Sequence, residues 1–541
     1  MLLPRRGLEK PLTVQPQYLF LFPVPESPVP DPCSKIFSED MRSFIRLTAA
    51  AAIVLCSCSR TESQQSPPQI TFDPIFPPLS GPLMTISSPA FADLDGDGVD
   101  DLVFGTGLSR VQPSKGTFIF APEPDPSGYV VAVSGATNQI LWQTPNPRDG
   151  FTTPRFADLN GDRVVDIVMG GREAVFAAYD GRSGKVLWRV DPAKVAKTPV
   201  PYNFFTPAIV RDANRDGVAD FVVTYGGDDT RLSHTPREPG YITLISGVNG
   251  AVLASHMLPD RKESYAAVVA YDRADGEWVI FGTGGETDGG AAFRAPVASL
   301  LDGSFSKRVE RLIEPNAKKG VMAPAVLLEL TGDTDTDIVI STFDGRLVAI
   351  DGATGKTIWQ QHHDTEETYH SPAVVRLDSN GRLGLFVSRG IGAFPRYVGT
   401  AHRLHDAKDG KILYEYKDPF YAAGAPLAVD LTGDGIDEAI FFTTQFPSAI
   451  GGRIHILHGA SGKLITHDLD TNYWSTPAVG DPRHTGTLEL AGLSWSQDSS
   501  AVAWQGVKWH LTRLNLNAKT PATITWGGYM GTKHDGRPQL R

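Results

Sequence analysis

Cysteine is nearly absent. Among 541 residues only Cys33, Cys56 and Cys58 occur, all close to the N-terminus. The rest of the chain therefore has no disulfide framework and no cysteine-based zinc or catalytic site. Positive charge is also short: Lys plus Arg number 50 against 61 Asp plus Glu, a net charge of -11. This balance excludes a general nucleic-acid binder, which needs basic patches. Long segments with helical periodicity are lacking. What is plentiful is glycine (54) and proline (41), the mark of a turn-rich all-β chain. A hydrophobic fraction of 41% with 21% charged residues supports a folded core and opposes global disorder.

Residues 1–40 are proline-rich and patternless, and read as a mis-called start. Met41 opens a different text, with Arg42 and Arg46 ahead of the apolar stretch Leu47–Leu55. That stretch is too short to span a membrane stably and reads as a secretory signal. Its end, Leu55-Cys56-Ser57-Cys58, resembles a bacterial lipobox with Cys58 as the lipidated residue; Cys56 at -2 departs from the usual pattern. Residues 41–58 are thus expected to be a lipoprotein-type signal, and residues 59–80 a flexible tether.

The remainder, 81–541, is repetitive. SPAFADLDGDGVDDLVFG starts at Ser88, and TPRFADLNGDRVVDIVMG at Thr153. Related phrases start at Thr206, Ala323, Ser371, Ala425 and Ser475, with a worn copy at Tyr265, making eight. A second phrase follows most copies, as in LVAIDGATGKTIW: a strand, a Gly-bearing turn and another strand, which is a β-hairpin. Each unit therefore holds four short strands, and such units repeated around an axis form propeller blades. The expected fold is all-β, a single β-propeller of eight four-stranded blades, with seven as the alternative. The last copy is expected to draw strands from LELAGLSW, WHLTRLNLN and ATITWGG, with ring closure near Ile70–Ile75. The turn Asp351–Thr357 is not a phosphate loop, because Ile350 stands where its first glycine must be.

The acidic loops carry chemistry. Asp93, Asp95, Asp97 and Asp101 occupy positions 1, 3, 5 and 9 of the first copy, and the carbonyl of Val99 at position 7 adds an oxygen. Alternate oxygens on a tight turn converge as Ca²⁺ requires. An EF-hand is excluded because position 12 is Phe104 and a strand follows directly. The register recurs as Asp158, Asn160, Asp162 and Asp166, and as Asp212, Asn214, Asp216 and Asp220. It recurs in weaker form as Glu329, Thr331, Asp333 and Asp337, and as Asp430, Thr432, Asp434 and Glu438. Three to five structural Ca²⁺ sites are expected. The bland reading, that Asp, Asn and Gly only favour turns, does not account for the same four positions in five copies.

These loops resemble the FG-GAP (VCBS) repeats of integrin-type propellers, over roughly residues 85–510. The hairpins resemble the tryptophan-docking motif of quinoprotein-like propellers: Ala349, Asp351, Thr354, Gly355, Lys356 and Trp359 match it, and Ala178, Asp180, Ser183, Gly184, Lys185 and Trp188 match with Ser for Thr. The resemblance implies that these residues dock neighbouring blades. Quinoprotein dehydrogenases hold their quinone under a vicinal disulfide, which the absence of cysteine after Cys58 makes impossible here.

No catalytic constellation is legible. The groups His362, His363 and His370, His402 and His405, and His455 and His458 read as strand or loop histidines before they read as a base or metal site. The favoured role is a monomeric binding module for protein or polysaccharide at the bacterial cell envelope, held to the outer membrane by a lipid anchor alone. The inserts Leu108–Ser127, Gly227–Pro239 and Gly285–Phe305 are where specificity is expected. The alternatives are a polysaccharide lyase on the same scaffold and an envelope-assembly scaffold.

Overall fold

The computed structural model describes residues 70–81, 85–107, 128–196, 202–227, 235–394, 396–422, 424–444, 451–497 and 507–540. The proposed signal and Cys58 lie outside the described residues. Eight antiparallel sheets follow one another along the chain, each a propeller blade. Blade 1 runs through Ala90–Ala92, Asp101–Gly105, Gly128–Val133 and Ile140–Asn146, from axis to rim. Blades 2 to 7 repeat this order and begin at Arg155, Asn203, Val269, Val326, Glu366 and Leu427. Blade 8 contains Ala478–Gly480, Thr487–Gln497 and Val507–Lys519.

The eighth blade is completed from the other end of the chain. Asp73–Pro74 and Leu79–Gly81 pair antiparallel with Val507–Lys519, in the register Asp73↔Asn515 and Leu79↔Leu511. Ring closure near Ile70–Ile75 is therefore found, and Ile70 is buried between blades 7 and 8. The tether expected over 59–80 does not reach 80, because its last residues are a strand. The segment Ala522–Gly528 supplies no blade strand either. It turns inward, where Trp526 bridges Ala428, Gly527 O accepts the Val479 N–H at 2.7 Å, and Gly536 O accepts the Leu327 N–H at 2.8 Å. Ala428, Val479 and Leu327 belong to the innermost strands of blades 7, 8 and 5, so the C-terminal segment runs through the central channel and covers strand edges that would otherwise stand open. The expected insert Gly285–Phe305 is also corrected: Gly290–Pro296 is the third strand of blade 4, followed by helices Val297–Leu301 and Phe305–Arg308.

The core lies between blades. Val103, Val130 and Ala132 of blade 1 meet Ile167, Met169, Ala177 and Tyr179 of blade 2, and comparable clusters join each later pair. Burial on both faces explains why second strands such as DLVFG and DIVMG are apolar without alternation. The docking motif works as its resemblance implies. Trp142 Nε1 donates to Gly181 O of the next blade (2.8 Å), Trp188 to Gly247 O (2.7 Å), and Trp359 to Ala407 O (3.0 Å). Each indole lies flat on a turn glycine; a Cβ on Gly184 would sit 2.4 Å from the Trp142 ring, so no larger residue fits. Blade 4 has no tryptophan there, and Arg294 Nη1 reaches Gly352 O instead (2.6 Å).

Candidate functional site

Two faces carry polar chemistry. The connections between first and second strands, and between third and fourth, emerge together on one face, and there the acidic loops lie against the hairpin turns. In blade 1, Asp93 accepts the N–H groups of Gly96 (2.8 Å) and Gly98 (3.2 Å), Asp95 accepts Asp97 N–H, and Asp97 accepts Val99 N–H. This network winds the loop and brings three of its carboxylates together, while the expected ligand Asp97 stands outside the group. Oxygens of Asp93, Asp95 and Asp101 lie within 4.8 Å of one another. A cation held 2.3–2.6 Å from each demands that spacing, so the site fits Ca²⁺. The loop winding recurs at Asp158, Asp212, Glu329 and Asp430, each accepting the N–H of a residue three to five positions on.

The ninth-position carboxylate has a second role that sequence alone does not show. Asp101, Asp166, Asp220 and Asp337 are fully buried. One oxygen of each accepts a backbone N–H within its own loop, from Leu94, Leu159, Ala213 and Leu330. The other accepts a glycine N–H from the hairpin turn of the same blade, Gly135, Gly181, Gly247 and Gly352. Each carboxylate thus clamps two loops together. Burial pushes Asp101 up to about 6, and the charges of Asp95 and Asp97 add to the rise. Burial likewise raises Asp166 and Asp220, and drives Glu438 up to about 8 beside Asp430, Asp434 and Asp437. A nearby cation relieves such crowding of negative charge.

In blades 2, 3 and 7 the first residue of the hairpin turn bonds to the acidic loop. Asn160 Nδ2 donates to Asp180 Oδ2 (3.0 Å), Ser246 Oγ to Asp216 Oδ2 (3.1 Å), and His458 Nε2 lies 3.0 Å from Asp434 Oδ2. Where the four-acid register is lost, arginine enters. Blade 6 carries Arg376 at position 1 and Arg382 at position 7; the first holds Asp437 of blade 7, and the second lies 2.7 Å from Asp406. Blade 8 keeps Asp481 and Glu489 at positions 1 and 9, with Arg483 at position 3 lying 3.3 Å from Glu489. Asp481 and Glu489 escaped the sequence reading because arginine stood between them.

The opposite face surrounds the mouth of the central channel. Phe151, Phe205, Tyr265, Tyr369 and Tyr421 sit just ahead of the inner strands of blades 2, 3, 4, 6 and 7, each half-buried. Phe205 touches Phe151 at 5.4 Å and Tyr265 at 5.7 Å, and Tyr421 stacks on Tyr397 of blade 6 at 5.3 Å. Three glutamates interleave with them. Tyr265 OH donates to Glu263 (3.2 Å), Tyr369 OH to Glu286 (3.5 Å), and Tyr397 OH to Glu367 (2.7 Å). Lys319 Nζ lies 2.6 Å from Glu367, and Arg237 Nε 3.7 Å from Glu263. Burial pushes Glu263 up to about 7 despite Arg237. Arg237 comes from the expected insert Gly227–Pro239; Leu108–Ser127 lies outside the described residues.

The histidine groups do not converge on a catalytic site. His402 and His455 are buried between blades 6 and 7, their rings 6.2 Å apart, bonded to Ser388 and to Thr443 and Thr466. Burial lowers the pKa of both, keeping them neutral. His405 bonds Gly410 O and His362 bonds Asp344 O, while His458 joins the blade 7 loop.

A family model described as the FAM234A/B beta-propeller matches residues 85–304. Protein FAM234B of Mus musculus is 28% identical over 142 residues, 25% of this chain and 21% of that protein. The matched stretch therefore spans about a fifth of the length of that relative. Among solved structures, the quinohemoprotein alcohol dehydrogenase ADHIIG from Pseudomonas putida HK5 superposes with a TM-score of 0.52 at 12% identity, covering 82% of this chain and 76% of that one. The quinohemoprotein alcohol dehydrogenase from Comamonas testosteroni gives 0.51, also at 12% identity with 82% and 76% coverage. Sequence and structure agree on the fold: the chain is an eight-bladed β-propeller, similar over residues 85–304 to the FAM234A/B propeller and in overall fold to the quinoprotein type.

Proposed function

We propose that this protein is a calcium-braced, extracytoplasmic β-propeller that binds protein or glycan on its channel-mouth face. The observation that carries the binding reading is the mouth itself. Partly exposed aromatic side chains from five blades border it, and the glutamates and phenols between them hold one another. The bracing reading rests on the loops of the other face: in blade 1 the oxygens of Asp93, Asp95 and Asp101 converge, and the same FG-GAP-like register is kept in the sequence of blades 2, 3, 5 and 7. Blades 6 and 8 supply arginine in its place. The intact loops thus call for an external positive charge that the broken ones carry covalently.

The setting rests on residues 41–58, which support secretion and a lipid anchor at Cys58 at a bacterial envelope. The matched mouse protein comes from a different kind of cell, so the anchor needs its own test. Cys58→Ser should release the protein from membranes, and an unchanged membrane fraction without a lipidated N-terminal peptide overturns the anchor. For the binding reading, immobilised protein is presented with envelope glycans and envelope proteins, with and without calcium. Tyr369→Ala and Tyr421→Ala should abolish retention; retention that survives both places binding elsewhere. A lyase reading is favoured only by Glu263 beside Tyr265. Release of unsaturated sugar, read by ultraviolet absorbance and lost in Tyr265→Phe, would support it over binding alone.

A further inference from the structure

Seven inner strands share one register position, opposite the residue two places beyond the ninth-position acid. Ala90, Ala208, Ala373 and Ala478 occupy it in four blades, and Val326 and Leu427 in two more. Blade 2 has Arg155 there, paired with Val168. A long cationic side chain thus replaces a small or apolar one beside the channel axis. Arg155 is only 7% exposed, and its Nε and Nη1 have no hydrogen-bond partner.

The guanidinium faces the C-terminal segment. It senses the charge of Asp535, and buried His534 senses the guanidinium in turn. Yet no ion pair to Arg155 exists among the described residues, and Asp535 already accepts the Arg537 N–H at 3.0 Å. His534 Nδ1 is held by Tyr529 O at 2.7 Å. A buried guanidinium with two open donors is strongly unfavourable unless an acceptor fills them, and negative charge is the most effective acceptor.

We propose that the central channel binds a small monovalent anion, chloride or a simple carboxylate, at Nε and Nη1 of Arg155. The anion neutralises a buried charge that the chain leaves open. This inference is independent of ligand binding at the mouth.

The full-length protein is melted at constant ionic strength in a salt of a bulky organic sulfonate, and chloride, formate or acetate is exchanged in. A saturable rise in melting temperature is expected from an anion that binds only the folded state. Arg155→Ala should abolish that rise; the alanines at the same position in four other blades show that the strand accepts it. A flat wild-type titration, or the same rise in Arg155→Ala, overturns the proposal. If the variant does not fold, crystals of the wild-type protein in bromide and in formate decide: anomalous bromide density or an ordered formate within hydrogen-bonding distance of Arg155 supports the site, and the absence of both overturns it. Response to chloride but not to formate or acetate identifies a halide site; the reverse identifies a carboxylate site.

Discussion

Arg376 of blade 6 lies against Asp437 of blade 7, with Nη2 at 2.8 Å and Nε at 3.1 Å from one carboxylate oxygen. The other oxygen accepts the Arg376 N–H at 2.7 Å. Asp437 is fully buried, so the pair is an inter-blade bolt at the place where blade 6 has lost its acidic loop.

Breaking this pair should be costly. Arg376→Ala leaves a buried carboxylate without its partner, and a loss of roughly 3 kcal/mol is expected by denaturant unfolding. Arg382→Ala removes a pair whose arginine is half-exposed, and should cost less than about 1 kcal/mol. Equal losses from the two would refute the assignment.

Calcium removal should lower the melting temperature, and Ca²⁺ should restore it better than Mg²⁺, which prefers fewer and more rigid contacts. A site that binds only the folded state would add about 2.7 kcal/mol at a hundredfold excess over Kd. Replacing Asp95 and Asp97 together with Ala should remove one site's share while leaving other blades folded. A melting curve indifferent to chelator, with free calcium below micromolar, would sink the claim.

Deleting residues 70–81 should open the ring. The long edge Val507–Lys519 loses its outer partner, and an uncovered strand edge promotes association between molecules. Light scattering should show aggregation, and hydrogen exchange should rise first in blade 8. A monomeric deletion variant with native protection in blade 8 would contradict strand closure.

Stability should fall with acid between pH 6.5 and 4. Burial lowers His405 and His534 to about 4, so the unfolded chain takes up protons in that window while the folded chain does not. Their stabilising effect is complete above pH 6.5 and is lost as the pH falls toward 4. His405 contributes up to about 3 kcal/mol. Comparing denaturant midpoints at pH 7 and pH 4.5, His405→Gln should show a smaller acid loss than wild type. Raised carboxylates such as Asp101 oppose this trend, so the difference between the two proteins is the quantity to measure.

The repeated phrases alone determined the blades. Pro-Ala entries, apolar second strands and Gly-bearing hairpins are local features whose partners lie within about 65 residues, and strand pairing at that range follows from turn chemistry and patterning. The acidic register was legible for the same reason, since Asp93 to Asp101 is a single turn. Tertiary structure decided what depends on distant partners. Asp73 finds Asn515 only when the ring closes, and Trp526 finds Ala428 only when a channel exists to receive it. The second role of Asp101 depends on Gly135, brought beside it by an intervening hairpin. The mouth joins Tyr265 and Glu286 of blade 4 to Tyr369 of blade 6 and Tyr421 of blade 7. Their proximity is a product of circular closure, which places residues far apart in sequence around one axis.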